Sequence, residues 1–309
     1  MKKLLRKILF GPVPVIEYAT VTVESDIREK VWLTDKKSRI DISANHWLLC
    51  LDPVVFGVWF GKVDNSIIFD KEKEYEICFT DGGNDAAVVA VLKLKFFNTI
   101  VEEDGRLLLL TLTNATTQHI SFIRTRLIFY KYYKKPEQDY FKLKSFAAAY
   151  SYPRKVRVVS YKDEAHNNIF PMDLTGDIPF SKRYVFGLRH TNQTLDRIIA
   201  AKKIVIAEVP YAYRQTIYQL GKHHRGPLAL DKLSFDLIQS ESFGFPVPAW
   251  ANSYKEIRIV QTMNLGSHML LWGEEINEKQ LNEDAGHLFH IHFLYYLHQQ
   301  RKGIAYPLV

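Results

Sequence analysis

Cysteine is scarce in this sequence: Cys50 and Cys78 are the only two among 309 residues. This excludes a disulfide-stapled secreted scaffold, which carries many more cysteines in a much shorter chain. Both cysteines lie in apolar segments typical of strands, so we predict two buried free thiols in a reducing compartment. A disulfide or a metal site is the alternative.

Long apolar runs are also missing. A helix that spans a membrane needs about 20 consecutive apolar residues, and the stretch Leu107–Leu112 is far shorter and flanked by charge. The start of the chain, Met1–Phe10, is rich in Lys and Arg but has neither a full hydrophobic stretch nor a small-residue cleavage site. We therefore expect a soluble, cytoplasmic protein with no membrane partner.

Positive charge is present in excess, with a formal net charge of +7. Nucleic acid, membrane lipid and small anionic ligands are the partner classes that such a charge suits. Basic residues are densest from Lys131 to Arg157, where tyrosines such as Tyr132 and Tyr140 alternate with them. Basic residues with aromatics can bind single-stranded nucleic acid. Because this stretch crosses a strand end, a linker and a new strand, we interpret it as a solvated junction and expect no nucleic-acid partner.

The length of the chain predicts two domains. With 309 residues, of which 47% are hydrophobic and 24% charged, the chain can bury two cores. Composition changes within Pro136–Ala149, a segment with helix-compatible residues. We place the boundary near Ser145, with a β-rich domain of unknown role over 1–145 and a second domain over 146–309.

The first domain is predicted to be all β. Segments rich in β-branched and aromatic residues recur from Val13 to Tyr130. The clearest form a meander of three predicted strands, Val88–Phe97, Arg106–Thr113 and His119–Tyr130. Turns are predicted between them at Glu102–Gly105 and Asn114–Thr117.

The second domain combines strands with short helices. We predict strands at Val156–Tyr161, Arg183–Arg189, Ile204–Glu208, Ile257–Met263 and Met269–Glu275, and helices at Leu195–Lys202 and Ala212–Leu220. The fold class is therefore mainly β, with short helices in the second half.

One segment of the second domain suits a phosphate group. Arg189 ends a predicted strand, and His190-Thr191-Asn192-Gln193-Thr194 then leads into a helix. A helix start presents unpaired N–H groups and the positive end of the helix dipole, and an Arg adds a bidentate donor. The alternative is that Thr and Asn are ordinary helix caps and Arg189 is a surface residue.

Two further segments add polar groups. The loop Lys162–Asn168 leads to Asp173-Leu174-Thr175-Gly176, whose backbone could approach a planar ligand closely, although most polar loops are only connections. Gly266-Ser267-His268 is a turn that enters a strand. A His at such a place is usually an exposed turn residue.

Taken in order, these segments resemble the flavin reductase-like family, whose fold is an FMN-binding split β-barrel. The resemblance covers about half the chain, from Tyr152 to Glu275. It includes the strand ending in Ser160, Asn168, Val185-Phe186-Gly187-Leu188-Arg189 with Thr194, Leu230-Asp231-Lys232-Leu233, and Gly266-Ser267-His268 with Gly273-Glu274.

The resemblance implies a set of site residues. Asn168, Met172, Asp173 and Thr175 would lie near the flavin ring or ribityl chain, and Arg189, Thr191, Asn192 and Thr194 would hold the phosphate. His268 matches a position close to the approaching nicotinamide and is the expected catalytic residue. The family usually has Asp where Ser267 stands, and often a small or glycine-containing loop where this chain has Glu164-Ala165-His166.

The resemblance also implies an activity, an FMN-dependent oxidoreductase that uses NADH or NADPH as its electron donor. The alternatives are a flavoprotein electron carrier, a flavin-binding module without turnover, or a degenerate barrel that binds a partner and no flavin. The electron acceptor, small molecule or protein, is not identified by the sequence. No metal is expected, although His287, His290, His292 and His298 in the tail are a possible ligand set.

Two expectations concern the arrangement of whole domains. The resemblance and the apolar tail from Leu288 to Tyr296 favour a homodimer. The segment Asp52–Trp59 is a faint echo of the region from Ile178 to Leu188, with Phe60 read at the place of Arg189. A duplicated barrel without its phosphate site is one interpretation of this echo, and an unrelated β-domain is the one we favour.

Overall fold

The computed structural model describes residues 18–23, 29–35, 38–62, 70–82, 87–132, 140–221, 228–283 and 286–304. Met1–Phe10 and much of the linker before Tyr140 lie outside these ranges. The first half contains β1 (Tyr18–Val23), β2 (Lys30–Thr34), β3 (Arg39–Asp41), β4 (His46–Leu51), β5 (Val54–Gly61), β6 (Glu74–Thr80), β7 (Val88–Glu102), β8 (Gly105–Thr117), α1 (Phe122–Tyr132) and α2 (Tyr140–Ala149). The predicted boundary at Ser145 falls within α2.

The second half alternates strands with short helices, as the sequence predicts. Its elements are β9 (Arg154–Lys155), β10 (Arg157–Lys162), β11 (Asn167–Met172), β12 (Thr175–Asp177), β13 (Arg183–Arg189), α3 (Leu195–Ala201), β14 (Lys203–Glu208), α4 (Arg214–Leu220), β15 (Leu237–Gln239), β16 (Pro246–Pro248), β17 (Ser253–Asn264), β18 (His268–Gln280), β19 (His287–His292) and α5 (Phe293–Arg301). The mainly β fold class is confirmed.

Two seven-stranded antiparallel sheets dominate the architecture. The strand order is β3-β2-β6-β7-β8-β5-β4 in the first sheet and β11-β10-β14-β17-β18-β13-β12 in the second. When the strands of each sheet are numbered along the chain, the two orders are identical. This identity favours the duplicated barrel over an unrelated first domain.

Two predicted elements of the first half are wrong. The segment His119–Tyr130 was expected to be a strand, but α1 occupies most of it, and its buried positions Thr125, Ile128 and Phe129 have helical spacing. Asn114–Thr117 was expected to be a turn, but it continues β8, with Asn114 opposite Lys93 and Thr117 opposite Ala90. Pairing with a long neighbouring strand overrides the local turn propensity.

Strand β19, near the end of the chain, connects the two halves. β19 pairs with β1 on one side and with β9 on the other. The helix α5 then packs into the core of the first half, where Phe293, Leu294 and Tyr295 are fully buried. The apolar tail is therefore covered within one chain, and it offers no exposed surface to a second copy.

A third core lies between the two sheets. It combines first-half residues such as Trp47, Leu49 and Trp59 with second-half residues such as Val185 and Trp272. The rings of Trp59 and Trp272 stack with their centroids 6.1 Å apart. Because burying one such large side chain contributes roughly 1.5–3 kcal/mol, this shared core holds the halves together.

Within the described ranges, no helix combines the length and apolar character needed to cross a bilayer. Cys50 and Cys78 are both free thiols. Cys50 is buried, as predicted, whereas Cys78 is only half-buried. Arg154 and Arg157, at the end of the basic stretch, are buried. Residues 133–139 of that stretch lie outside the described ranges.

Candidate functional site

The end of β13 and the start of β18 lie side by side and bring two predicted site residues together. Arg189 and His268 are cross-strand partners in the antiparallel register. The chain leaves β13 at Arg189, makes a tight turn in which the Asn192 N–H donates to the Arg189 carbonyl (2.9 Å), and then enters α3. The candidate site is this corner of the second sheet.

Arg189 and Thr191 present exposed side chains at the corner. Within the described ranges, the Arg189 guanidinium has no hydrogen bond or ion pair, whereas Arg157, Arg183, Arg197 and Arg258 each pair with a carboxylate. An unpaired guanidinium beside a helix start can bind an anion bidentately. The other two predicted phosphate ligands are placed differently.

Asn192 and Thr194 are buried and stabilise the turn itself. The Thr194 N–H donates to Asn192 Oδ1 at 2.9 Å, and Asn168 Nδ2 donates to the Thr194 hydroxyl at 2.8 Å. His166 Nε2 lies 3.0 Å from the same hydroxyl. Asn168, predicted near the flavin, therefore joins the turn between β13 and α3 to β11. His166 was not among the predicted site residues. Burial lowers its pKa, and the positive charge of the nearby Arg197 lowers it further.

His268 is buried, with 1% of its surface exposed, rather than displayed on a turn. Its Nδ1 lies 2.8 Å from the Ser267 hydroxyl and 3.6 Å from Cys50 Sγ. Burial, reinforced by the positive charge of Arg189, lowers the pKa of His268 to about 4. The imidazole is therefore neutral at neutral pH.

Ser267 and His268 share a hydrogen bond at this turn. The Ser267 hydroxyl oxygen accepts from the Asp52 N–H at 3.0 Å and lies 2.8 Å from His268 Nδ1. Because a hydroxyl has one hydrogen and two lone pairs, the tautomer of the ring sets the direction of this second bond. The other ring nitrogen, Nε2, is buried and has no hydrogen-bond partner among the described residues. Unsatisfied buried polar atoms are rare and call for a ligand, water or ion.

Asp173 lies within electrostatic range of His268 but is bound to the tail of the chain. Its Oδ2 is 2.6 Å from His290 Nδ1. Burial opposes ionisation of Asp173, but His290 and Arg154 outweigh it, and the pKa of the carboxyl is lowered. Asp173 is therefore an anion with two basic neighbours.

Met172 and Thr175 belong to the wall of the second barrel. Met172 is 7% exposed and packs in the second-half core. The Thr175 hydroxyl donates to the Tyr184 hydroxyl, and its carbonyl accepts from Arg157 Nη1 at 3.2 Å. Arg157 in turn pairs with Glu208 and Asp177. These contacts give both residues a structural role.

The first half of the chain contributes residues to this corner that the sequence did not reveal. The Ser267 N–H donates to the Asp52 carbonyl at 2.7 Å, and Cys50 Sγ donates to the Leu265 carbonyl at 3.4 Å. More than 200 residues separate these partners along the chain, so no local pattern could have paired them.

The tail histidines are distributed among separate contacts. His287 lies near Glu208, His290 binds Asp173, and His298 lies near His119 and Asp81. Across the part of the chain that the structure describes, no group of three or more His, Cys, Asp or Glu is arranged to hold a metal ion.

Comparison with solved structures finds proteins that are similar to about half of this chain. An FMN-binding protein from Thermus thermophilus is 18% identical and matches 42% of this chain and 73% of its own, with a TM-score of 0.38. The NADH:FAD oxidoreductase of Streptomyces globisporus C-1027 is 16% identical, over 52% of this chain and 92% of its own, with a TM-score of 0.44. A flavoredoxin from Methanosarcina acetivorans is 14% identical, over 41% of this chain and 69% of its own, with a TM-score of 0.36. No family model and no curated protein matches the sequence.

Proposed function

We propose that the protein binds FMN at the corner formed by Arg189, Thr191 and His268, and that it is an oxidoreductase that takes electrons from a reduced nicotinamide. One observation carries the proposal. A buried imidazole nitrogen, His268 Nε2, lies beside the exposed Arg189 guanidinium at the end of neighbouring strands, and neither has a partner among the described residues. Such a pair suits a ligand that offers an anionic group and a hydrogen-bond acceptor.

The residues present fit the phosphate end of FMN. Arg189 and Thr191 supply exposed donors, while Asn192, Thr194 and Asn168 hold the turn in place through buried hydrogen bonds. A buried, mutually bonded support of this kind keeps the donors oriented before the ligand arrives, which lowers the entropic cost of binding. In this proposal Arg189 and Thr191 bind the phosphate, and the buried residues hold these two side chains in position.

His268 has a positioning role in this proposal. Its neutral ring can donate one hydrogen bond, from Nε2, to an acceptor on the bound ligand. At a pKa of about 4 it does not carry a positive charge at neutral pH, so it does not steer a donor phosphate by charge. When bound, the flavin supplies the hydride and electron chemistry, and the protein supplies orientation and electrostatics.

A flavoprotein electron carrier, or a binding module without turnover, is the second candidate. The neutral ring of His268 favours it, because an imidazole with a pKa of about 4 offers no positive charge to the phosphate of a nicotinamide at neutral pH. The two candidates share the flavin and differ in whether the nicotinamide reduces it.

The test is the visible spectrum of the purified full-length chain after incubation with FMN and removal of the unbound flavin. We expect a retained flavin spectrum that bleaches on addition of NADH or NADPH under anaerobic conditions. A retained flavin that neither nucleotide bleaches would reject the oxidoreductase and support the electron carrier or binding module. A colourless protein that FMN does not bind at any accessible concentration would reject both.

A further inference from the structure

The two halves share more than a strand order. We infer that this chain is a covalently joined pair of split barrels, in which the first half takes the place of a second subunit and the second half alone keeps the ligand site. The pairing stands on the geometry of the two sheets, whereas the count of ligand sites rests on the proposed function.

The register between β5 and β8 matches the register between β13 and β18. In the first sheet, Phe56 of β5 pairs with Leu110 of β8. In the second, Phe186 of β13 pairs with Leu271 of β18. The surrounding sequences, Val55-Phe56-Gly57-Val58 and Val185-Phe186-Gly187-Leu188, also agree. An identical strand order, a matching register in this strand pair and a similar local sequence are the signs of a duplicated unit.

The halves contact each other as the subunits of a two-fold dimer would, with the same two surfaces used twice. The turn between β4 and β5 contacts the turn between β17 and β18, through Asp52 and Ser267. The equivalent contact joins the start of β13 to the end of β7, where Arg183 Nη2 donates to Glu102 at 2.7 Å. Trp272 Nε1, from β18, donates to the same carboxylate at 2.7 Å. Reciprocal use of equivalent surfaces defines an isologous interface.

The first barrel lacks the polar pair of the candidate site. Since Phe56 corresponds to Phe186, Arg189 corresponds to Trp59, and the sequence alignment that placed Phe60 there is one residue out of register. His268 likewise corresponds to Leu107, because Trp59 pairs with Leu107 as Arg189 pairs with His268. Trp59 is 4% exposed and stacks on Trp272 in the shared core. An anion would meet two apolar side chains there.

The first half supports the candidate site of the second half. Cys50 and Asp52 hold the Ser267–His268 turn of the other barrel, so the surface that a partner subunit would provide is present in the chain itself. The homodimer predicted from the sequence then becomes unnecessary for completing the site, since its apolar tail is buried internally.

Sedimentation velocity of the full chain, with and without FMN, combined with a spectrophotometric FMN titration, tests this inference. We expect the mass of one chain, 36.0 kDa, in both conditions and saturation at one FMN per chain. Saturation at two FMN per chain would show that the first half also binds FMN and would overturn the inference of a single site. A species of two chains that must form before FMN binds would overturn the built-in second subunit. A single-chain mass without FMN binding would support the pairing and reject the proposed function instead.

The two cysteines provide matched variants for the supporting role. Cys50→Ala removes the sulfur that contacts Ser267 and His268, and we expect FMN affinity to fall by about 2- to 10-fold, the value of one modest hydrogen bond. Cys78→Ala, on β6 away from this corner, should leave FMN affinity unchanged. Equal affinities in both variants would show that Cys50 does not support the site.

Discussion

At the scale of single residues, the candidate site depends on two side chains that each leave a polar group without a partner among the described residues. Arg189 has no carboxylate partner there, although the neighbouring arginines do. The buried Nε2 of His268 has no hydrogen-bond partner there, which costs roughly 1–3 kcal/mol in the absence of a ligand. A fold retains such a cost where a ligand offsets it.

Arg189→Ala should weaken FMN binding while leaving riboflavin binding nearly unchanged. A charge-assisted hydrogen bond is worth about 1.5–3 kcal/mol, so the dissociation constant for FMN should rise about 10- to 100-fold. Riboflavin lacks the phosphate and does not use this contact. Fluorescence titration with both flavins measures the difference. Arg258→Ala, an exposed arginine of the same sheet, is the control, and equal losses for both flavins in Arg189→Ala would contradict the phosphate assignment.

At an FMN concentration that keeps the site saturated, His268→Ala should slow the reduction of the bound flavin by NADH or NADPH. Loss of one positioning hydrogen bond of about 1.5–3 kcal/mol corresponds to about 10- to 100-fold in rate. Single-turnover stopped-flow absorbance measures the reduction step alone. His268→Gln, which keeps an N–H donor, should recover part of the rate, and the exposed neighbour variant His190→Ala should behave as the wild type.

The pH dependence of reduction separates a neutral His268 from a charged one. With a pKa of about 4, the ring does not change charge near neutrality, so the wild-type rate should show no step from His268 between about pH 6 and pH 8. A step centred near pH 6.5 that His268→Ala abolishes would mean that the ring acts as a cation.

At the scale of elements, the junction of the halves depends on glycines in the second sheet, because their missing side chains let β4 approach closely. A Cβ on Gly187 of β13 would lie 1.9 Å from the Leu49 carbonyl oxygen, and one on Gly176 of β12 would lie 1.6 Å from the Trp47 indole nitrogen. No side chain fits at these distances. The strands of one half therefore reach the backbone of the other directly.

Gly187→Ala should destabilise the protein by forcing β4 away from β13. Overpacking of this kind costs roughly 1–3 kcal/mol or more, because a backbone carbonyl cannot move without its strand. Urea unfolding followed by tryptophan fluorescence measures the loss, and Trp47 reports on the junction itself. Gly221→Ala is the control, since the nearest atom to its Cβ is a Pro171 side-chain carbon at 3.3 Å. Equal stability of the two variants would mean that β4 does not rest on β13 in solution.

At the scale of the whole molecule, the protein buries several neutral histidines. Burial lowers the pKa of His46 and His292 to about 3 and that of His268 to about 4, and the pKa of His119 is also well below its usual value. The unfolded chain binds protons at these positions below about pH 6.5, whereas the folded chain does not. Below about pH 6.5 the unfolded chain must release these protons when it folds, and this lowers the free energy of unfolding.

The midpoint of thermal unfolding should therefore fall as the pH is lowered from about 7 to 5. The sign follows from the proton count, since the unfolded state binds more protons in this window and stability rises with pH wherever that holds. The carboxylate of Glu208, with a pKa lowered to about 2, loses its contribution only at lower pH, below about 4.5. Differential scanning calorimetry across the window checks the direction. A midpoint that stays constant would indicate that these rings are not buried in the neutral form.

The sequence by itself determined the mainly β class, five strands and two helices of the second half, and the segments that carry Arg189 and His268. Local periodicity and turn chemistry specify such elements because they act between near neighbours. The same local signals failed at α1 and at Asn114–Thr117, where packing against distant strands outweighed propensity. Only the tertiary structure decided that Asn192 and Thr194 are buried supports, that His268 is buried and neutral, and that Cys50 and Asp52 belong to the site. Those properties depend on contacts between residues far apart in the chain, which arise only when the two sheets pack against each other.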